Sequence, residues 1–127
     1  MVTKPKILIV DDDNFMLQFV RAMLDEETYE ILITKSPADS LSIIHSKRPD
    51  VVISDIEMPG IQGTELIKVI HEINPQTPVI FISSLERDGL KQELIEAGSF
   101  GFISKPVEPE KLENMVKRAL STINRAA

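Results

Sequence analysis

Residues 7–13 read Ile7-Leu8-Ile9-Val10-Asp11-Asp12-Asp13, four consecutive apolar side chains followed at once by three aspartates. An uninterrupted apolar run of this length is typical of a strand that is buried on both faces, as strands are in a parallel sheet covered by helices. Four more short runs rich in apolar residues occur, at residues 29–34, 51–53, 79–82 and 100–103. The repeated pattern predicts a five-stranded sheet.

Segments with helical spacing alternate with these runs. Apolar residues recur at intervals of three and four over residues 14–26, 36–47, 64–73, 86–97 and 109–124. The strand–helix alternation predicts an α/β fold, a doubly wound (βα)5 three-layer sandwich with an open parallel sheet. Five units are too few for a closed eight-stranded barrel.

Several residues at the helix ends have the chemistry of caps. Asp13 or Asn14 is expected to cap the first helix, and Ser36 the second, because their side chains accept hydrogen bonds from free backbone N–H groups. Gly98 is expected to end the fourth helix, where a left-handed residue is common. The first helix has a broad apolar face that includes Phe15 and Phe19, and we expect both rings to pack in the core.

Composition and charge exclude several classes of protein. The 127 residues are 43 % hydrophobic and 27 % charged and contain no cysteine, which predicts one globular domain over residues 1–127 without disulfides, zinc–thiolate sites or thiol catalysis. The formal charge of −6 is a poor match to nucleic acid or to an anionic membrane. The first residues resemble neither a signal peptide nor a membrane span. We therefore expect a cytoplasmic protein that contacts neither nucleic acid nor membrane directly.

Polar side chains follow four of the predicted strands. Asp11 and Asp12 follow the first strand, Asp55 the third, Ser83 the fourth and Lys105 the fifth. Because the carboxyl ends of parallel strands meet at one edge of a sheet, where ligands commonly bind, we expect these side chains to converge.

The expected cluster has a specific chemistry. Aspartates have a reference pKa of about 3.9, so several like charges would share one site at neutral pH. Carboxylate oxygens without histidine or cysteine suit Mg²⁺, for which Mn²⁺ can substitute. Lys105 adds a positive charge for an anionic ligand, and Ser83 adds a hydroxyl donor. This combination favours phosphoryl transfer, in which catalysis is mainly positioning and charge neutralisation.

Four segments together resemble the response-regulator receiver domain, the phosphoacceptor module of bacterial two-component signalling. They are Ile7-Leu8-Ile9-Val10-Asp11-Asp12; Val51-Val52-Ile53-Ser54-Asp55-Ile56-Glu57-Met58-Pro59-Gly60-Ile61-Gln62-Gly63; Pro78-Val79-Ile80-Phe81-Ile82-Ser83; and Gly98-Ser99-Phe100-Gly101-Phe102-Ile103-Ser104-Lys105-Pro106. They occur in family order and at family spacing, and the resemblance spans almost the whole chain.

The resemblance implies a flavodoxin-like fold with strand order 2-1-3-4-5, and a metal site beside the phosphoacceptor. Asp55 corresponds to the aspartate that receives the phosphoryl group. Asp12 corresponds to a direct Mg²⁺ ligand and Asp11 to a ligand through water. Asp55 itself and the backbone carbonyl of Glu57 complete the protein ligands.

The resemblance also assigns residues to the switch. Ser83 and Lys105 correspond to the hydroxyl and the cation that contact the phosphoryl group, and Phe102 to an aromatic residue that moves in response. The family usually has a cis peptide at the position of Lys105–Pro106. Positions 57 and 85 tune phosphate lifetime in the family, and we hypothesise that Glu57 offers hydrolytic water a polar contact that Leu85 does not.

Partners and output follow from the same resemblance. The donor would be a phosphohistidine on a sensor histidine kinase or a phosphotransfer protein. The response would change the surface of helix 4, strand 5 and helix 5 and so control an unknown protein target, with the chain a monomer or a phosphorylation-dependent dimer. No effector domain follows the fifth helix, which predicts a standalone receiver.

Two other functions remain open on the residues alone. A small phosphatase of the haloacid-dehalogenase type also uses an aspartyl nucleophile, Mg²⁺ and a lysine, but its nucleophile comes early, whereas here the acidic pair precedes Asp55. A receiver-like interaction domain would act without phosphate. The main prediction is a switch that catalyses only its own phosphorylation and dephosphorylation, and Ser83 as a simple helix cap is the alternative at that position.

Overall fold

The structure is a computed structural model that describes residues 3–58, 62–84 and 88–123. Five strands alternate with five helices in the predicted order. The elements are β1 (Lys6–Val10), α1 (Asn14–Ala22), β2 (Glu30–Thr34), α2 (Pro37–Lys47), β3 (Val51–Asp55), α3 (Gly63–Ile73), β4 (Val79–Ser83), α4 (Leu90–Glu96), β5 (Gly101–Ser104) and α5 (Pro109–Thr122). Across the described ranges, no helix is long and apolar enough to span a bilayer.

The five strands form one parallel sheet in the order β2-β1-β3-β4-β5, which confirms the predicted topology. In the register of the sheet, Ile9 of β1 lies between Ile33 of β2 and Ile53 of β3. The chain passes from β1 to the edge strand β2, crosses back over β1 to β3, and then continues on that other side to β4 and β5. The crevice at the carboxyl ends of β1 and β3 is therefore the topological switch point, where ligands bind in open α/β sheets.

Two apolar cores lie on opposite faces of the sheet. Because successive side chains of a strand point to opposite faces, Ile7 and Ile9 join one core, and Leu8 and Val10 join the other. The first core takes its helical members from α1 and α5, and the second from α2, α3 and α4. This division confirms the three-layer sandwich.

The expectation that Phe15 and Phe19 pack in the core is wrong. Phe15 is 72 % exposed and Phe19 is 42 % exposed, and their rings stack on the surface with centroids 6.0 Å apart. Helix α1 buries Leu17 and Val20 instead. Residues two positions from Leu17 lie about 200° around the helix from it, so both rings point away from the sheet.

Helix α1 also ends at Ala22, four residues earlier than predicted. The Asp25 carboxylate accepts hydrogen bonds from the Glu27 backbone N–H at 2.9 Å and from the Thr28 hydroxyl at 2.7 Å. Local hydrogen bonds that an aspartate side chain accepts from the residues after it stabilise a turn in place of a helix.

The predicted cap at Ser36 is confirmed, since its hydroxyl accepts from the Asp39 backbone N–H at 3.2 Å. Gly98 follows Ala97, the C-cap residue of α4, and has a φ of 108°, as a left-handed terminator does. Helix α4 begins later than predicted, at Leu90, after Gly89 with a φ of 85°. Residues 86 and 87 of that predicted helix lie outside the described residues.

Replacing Phe81 tests the packing of the second core. Phe81 is fully buried on β4 within the second core, so Phe81→Ala should lower the free energy of unfolding by about 3–5 kcal/mol through lost burial and the cavity left behind. Phe15→Ala, the same change on an exposed ring, should alter it by no more than about 0.5 kcal/mol. Urea denaturation of both variants measures the difference. Equal losses would contradict the assignment of Phe81 to the core.

Candidate functional site

Three aspartates meet at the carboxyl edge of the sheet. Asp11 and Asp12 directly follow β1, and Asp55 is the last residue of β3. One carboxylate oxygen of each lies within 4.8 Å of those of the other two. The predicted convergence of the acidic residues is therefore confirmed, and their oxygens are close enough together to hold one metal ion.

Backbone hydrogen bonds fix the direction of the Asp11 side chain. The Asp11 N–H donates to the Thr34 carbonyl at 3.1 Å, which extends the pairing with β2 by one residue. Asp11 Oδ1 accepts from the Asp13 N–H at 2.9 Å. Asp13 in turn caps α1 by accepting from the Phe15 N–H at 2.9 Å, as the sequence predicted. The turn that starts α1 thus also aims Asp11 into the crevice.

Asp55 is held between its own loop and Lys105. Asp55 Oδ1 accepts from the Glu57 N–H at 2.9 Å, and Asp55 Oδ2 lies 3.3 Å from Lys105 Nζ. Lys105 directly follows β5, which is separated from β3 by β4. Its backbone N–H donates to the Ser83 carbonyl at 2.9 Å. The Asp55 side chain is only 5 % exposed and that of Lys105 is 23 % exposed, so solvent screens this ion pair less than a surface pair.

Asp11 binds a proton more tightly than an ordinary aspartate does. Burial raises the pKa of Asp11 to about 6, and the negative charge of Asp55 adds to this effect. The hydrogen bond from the Asp13 N–H and the charge of Lys105 act in the opposite direction. The ionised form of Asp11 is therefore disfavoured in the folded protein, since it lies buried beside another carboxylate.

A second set of contacts joins the end of β4 to the loop after β3. Glu57 Oε1 accepts hydrogen bonds from Ser83 Oγ at 2.9 Å, from the Ser84 N–H at 2.7 Å and from Ser84 Oγ at 2.8 Å. The hydrogen bond from the Ser84 hydroxyl is the largest of the effects that lower the pKa of Glu57. Glu57 is therefore a carboxylate anion that bridges two loops of the site.

Ser83, Phe102 and Lys105, which were predicted to take part in the switch, lie on or directly after β4 and β5. Ser83 is buried, but it does not cap α4, which begins after Gly89. Phe102 is half-buried on β5 and packs against the second core. The Lys105–Pro106 peptide is cis, as expected from the resemblance. Leu85, which was expected to affect phosphate lifetime, lies outside the described residues.

Sequence reasoning missed the role of Ser84 and of the Glu57 side chain. The sequence predicts roles for the Glu57 backbone carbonyl and for Glu57 as a contact for water, and it predicts no role for Ser84. The two residues lie 27 positions apart in the chain and meet only because β3 and β4 are neighbours. The one available signal was that both follow adjacent strands of the predicted sheet.

Comparison with known proteins agrees with this geometry. The family model of the response regulator receiver domain matches residues 7–117. The C4-dicarboxylate transport transcriptional regulatory protein DctD of Pseudomonas aeruginosa is 35 % identical over 116 residues, which are 91 % of this chain and 25 % of that protein. The chain spans less than half the length of the curated relatives that it matches first.

Solved structures match over nearly their full length. The chemotaxis response regulator CheY4 of Vibrio cholerae superposes with a TM-score of 0.83 at 31 % identity, covering 93 % of this chain and 100 % of that one. A CheY-like response regulator receiver domain protein of Methanospirillum hungatei gives a TM-score of 0.86 at 29 % identity, covering 94 % and 95 %. The fold of this chain thus belongs to a known architecture.

Neutralising Asp11 should stabilise the protein when no divalent cation is present. Because its folded pKa of about 6 is above the ordinary value, the folded state binds the proton more tightly, and stability falls as pH rises from about 4 to 6. At pH 7 Asp11→Asn should therefore raise the free energy of unfolding by about 1–3 kcal/mol, and the Asn oxygen can still accept the Asp13 N–H. Urea denaturation in chelator measures this gain.

The pH dependence of the stability gain distinguishes the raised pKa of Asp11 from a general effect of removing a negative charge. The gain from Asp11→Asn should shrink below pH 6 and vanish only below about pH 3, because the Asp11 carboxyl of the unfolded wild type, with its ordinary pKa of 3.8, must also be protonated. Asp12→Asn is the matched control, because Asp12 is exposed and should give a smaller gain. A gain that is independent of pH, or a loss of stability at pH 7, would contradict the account.

Proposed function

The chain belongs to the response regulator receiver domain family, and we propose that residues 1–127 act as a single receiver domain whose phosphoacceptor is Asp55. Receiver domains of two-component systems interact with histidine kinases or phosphotransfer proteins. The observation that carries the proposal is the position of the Asp55 carboxylate, between Lys105 Nζ at 3.3 Å and the carboxylates of Asp11 and Asp12.

The donor set suits a magnesium ion. Three carboxylates lie within 4.8 Å of one another, and neither histidine nor cysteine is among them, which matches the hard oxygen ligands that Mg²⁺ prefers and Mn²⁺ accepts. Asp11, Asp12, Asp55 and the backbone carbonyl of Glu57 would hold the ion. When bound, it supplies positive charge that offsets the carboxylates and the oxygens of an incoming phosphoryl group.

The reaction proposed for Asp55 is one displacement at phosphorus. A carboxylate oxygen of Asp55 forms a bond to the phosphorus of a phosphohistidine, while the bond from that phosphorus to the imidazole nitrogen breaks. The imidazole leaves with the electron pair and takes up a proton, and Asp55 becomes an acyl phosphate. Lys105 is already paired with Asp55 and can neutralise charge on the transferred oxygens, which is the main requirement of such a reaction.

The negative charge of the acyl phosphate would drive the change in the binding surface. An acyl phosphate at Asp55 carries about −1.5 to −2 charges in place of the single charge of the carboxylate, and it brings three hydrogen-bond acceptors to the edge of the sheet. We propose that it recruits Lys105 and the Ser83 hydroxyl, and that Phe102 then shifts on β5. Phe102 lines an open groove of about 870 Å³ between β5 and α5, together with Met115 and Arg118. This groove is part of the α4–β5–α5 surface through which the domain would control a protein partner.

Acetyl phosphate with Mg²⁺ tests the proposal without a kinase. The wild type should gain the mass of one phosphoryl group, and hydroxylamine should remove it, since it cleaves acyl phosphates. Asp55→Asn should abolish the adduct, because an amide is not a competent nucleophile. Asp39→Asn, on the exposed start of α2, is the control and should be phosphorylated like the wild type.

Two outcomes of this experiment would reject the proposal. The absence of any adduct on the folded wild type would favour an interaction domain that acts without phosphate. Continuous release of phosphate from simple phosphate monoesters would instead indicate a phosphatase. A receiver domain should release no more than the phosphate that it has itself accepted.

A further inference from the structure

Glu57 connects the loop after β3 to the loop after β4 through one carboxylate oxygen. That oxygen accepts three hydrogen bonds, from the Ser83 hydroxyl and from the hydroxyl and backbone N–H of Ser84, all between 2.7 and 2.9 Å. Hydrogen bonds to an ionised acceptor are roughly twice as strong as neutral ones. The contact therefore holds the start of the β4–α4 loop against the loop that follows Asp55.

The contact uses the same proton that the proposed switch requires. A serine hydroxyl has one proton to donate. In this structure Ser83 donates it to Glu57 Oε1 at 2.9 Å. A phosphoryl group on Asp55 can therefore receive the Ser83 hydroxyl only if the bond to Glu57 breaks.

The charge of a phosphorylated Asp55 would act on the neighbouring Glu57 carboxylate. Glu57 follows Asp55 by two positions, and the Glu57 N–H donates to Asp55 Oδ1 at 2.9 Å, so the two acidic residues share one turn. Phosphorylation would replace the single charge of Asp55 with about −1.5 to −2 charges beside the Glu57 carboxylate. Lys105 acts on both groups, since its charge lowers the pKa of Glu57 and its ammonium pairs with Asp55.

We propose that Glu57 is a positioning residue that competes with the phosphoryl group for the Ser83 hydroxyl and so holds the β4–α4 loop in its unphosphorylated arrangement. This inference rests on the proposed function of Asp55. It assigns to the Glu57 side chain a restraint on switching, which is separate from any contribution of its backbone carbonyl to a metal site.

Beryllofluoride, a non-covalent analogue of the phosphoryl group, is the probe for this competition. Its affinity can be measured by ¹⁹F NMR at saturating Mg²⁺, which removes differences in metal binding between variants. Glu57→Ala removes the competing acceptor and should bind beryllofluoride about tenfold more tightly than the wild type, the effect of one charged hydrogen bond. Glu65→Gln removes a charge from the exposed first turn of α3 and should leave the affinity unchanged.

A double-mutant cycle with Ser83 distinguishes competition from charge repulsion alone. In the Ser83→Ala background there is no hydroxyl to compete for, so adding Glu57→Ala should change the affinity by less than about twofold. An equal gain in both backgrounds would show that only repulsion is relieved, and would overturn the proposal. An unchanged or weaker affinity of Glu57→Ala in the wild-type background would overturn it as well.

The Ser84 amide reports the contact directly. In the wild type its proton should exchange slowly with solvent, because the N–H donates to Glu57 at 2.7 Å, and beryllofluoride should accelerate that exchange. Exchange that is unaffected by saturating beryllofluoride would contradict the proposed release. If the folded wild type binds no beryllofluoride, the proposed function fails and this inference fails with it, whereas binding without an effect of Glu57→Ala rejects this inference alone.

Discussion

Repulsion among the carboxylates at the ends of β1 and β3 is the constraint on which the site depends. The parallel sheet brings Asp11, Asp12 and Asp55 so close that their oxygens lie within 4.8 Å of one another. At an effective dielectric constant of 20, each ionised pair at that distance costs about 3–4 kcal/mol. Lys105 offsets part of this cost through its contact with Asp55 at 3.3 Å. The remaining negative charge suits the crevice to a divalent cation, and the two apolar cores supply the stability that tolerates it.

A change of charge at Asp55 can affect β4 and β5 through direct contacts, because β4 lies between β3 and β5 in the sheet. Lys105 contacts Asp55 across β4, and the Lys105 N–H is tied to the Ser83 carbonyl at 2.9 Å. Glu57 links the loop after β3 to Ser83 and Ser84. The structure shows one set of these hydrogen bonds, and the proposed competition for the Ser83 hydroxyl would give the start of the β4–α4 loop a second set. Two such alternatives are what a local charge event needs in order to shift a larger surface.

Much of this architecture could be predicted from the sequence, for physical reasons that differ between elements. Short continuous apolar runs that alternate with helical patterns are typical of buried parallel strands, so all five strands were found to within two residues at either end. The end of α1 was misjudged, since the bonds of Asp25 in the following turn compete with helix formation. Phe15 and Phe19 were misplaced because hydrophobicity alone does not determine which side of a helix faces the sheet. Neither the pKa of Asp11 nor the contact between Glu57 and Ser84 could be predicted, since both depend on distances between segments far apart in the chain.

The central claim, that the crowded carboxylates form a cation site, is tested most directly by the effect of Mg²⁺ on stability. At a concentration about tenfold above its dissociation constant, Mg²⁺ should raise the free energy of unfolding by about 1.4 kcal/mol, because it binds the assembled cluster and not the unfolded chain. Urea denaturation across a Mg²⁺ titration measures this, and Asp12→Asn should lose most of the effect. Stability that does not respond to Mg²⁺, or that responds equally in the wild type and in Asp12→Asn, would contradict the account.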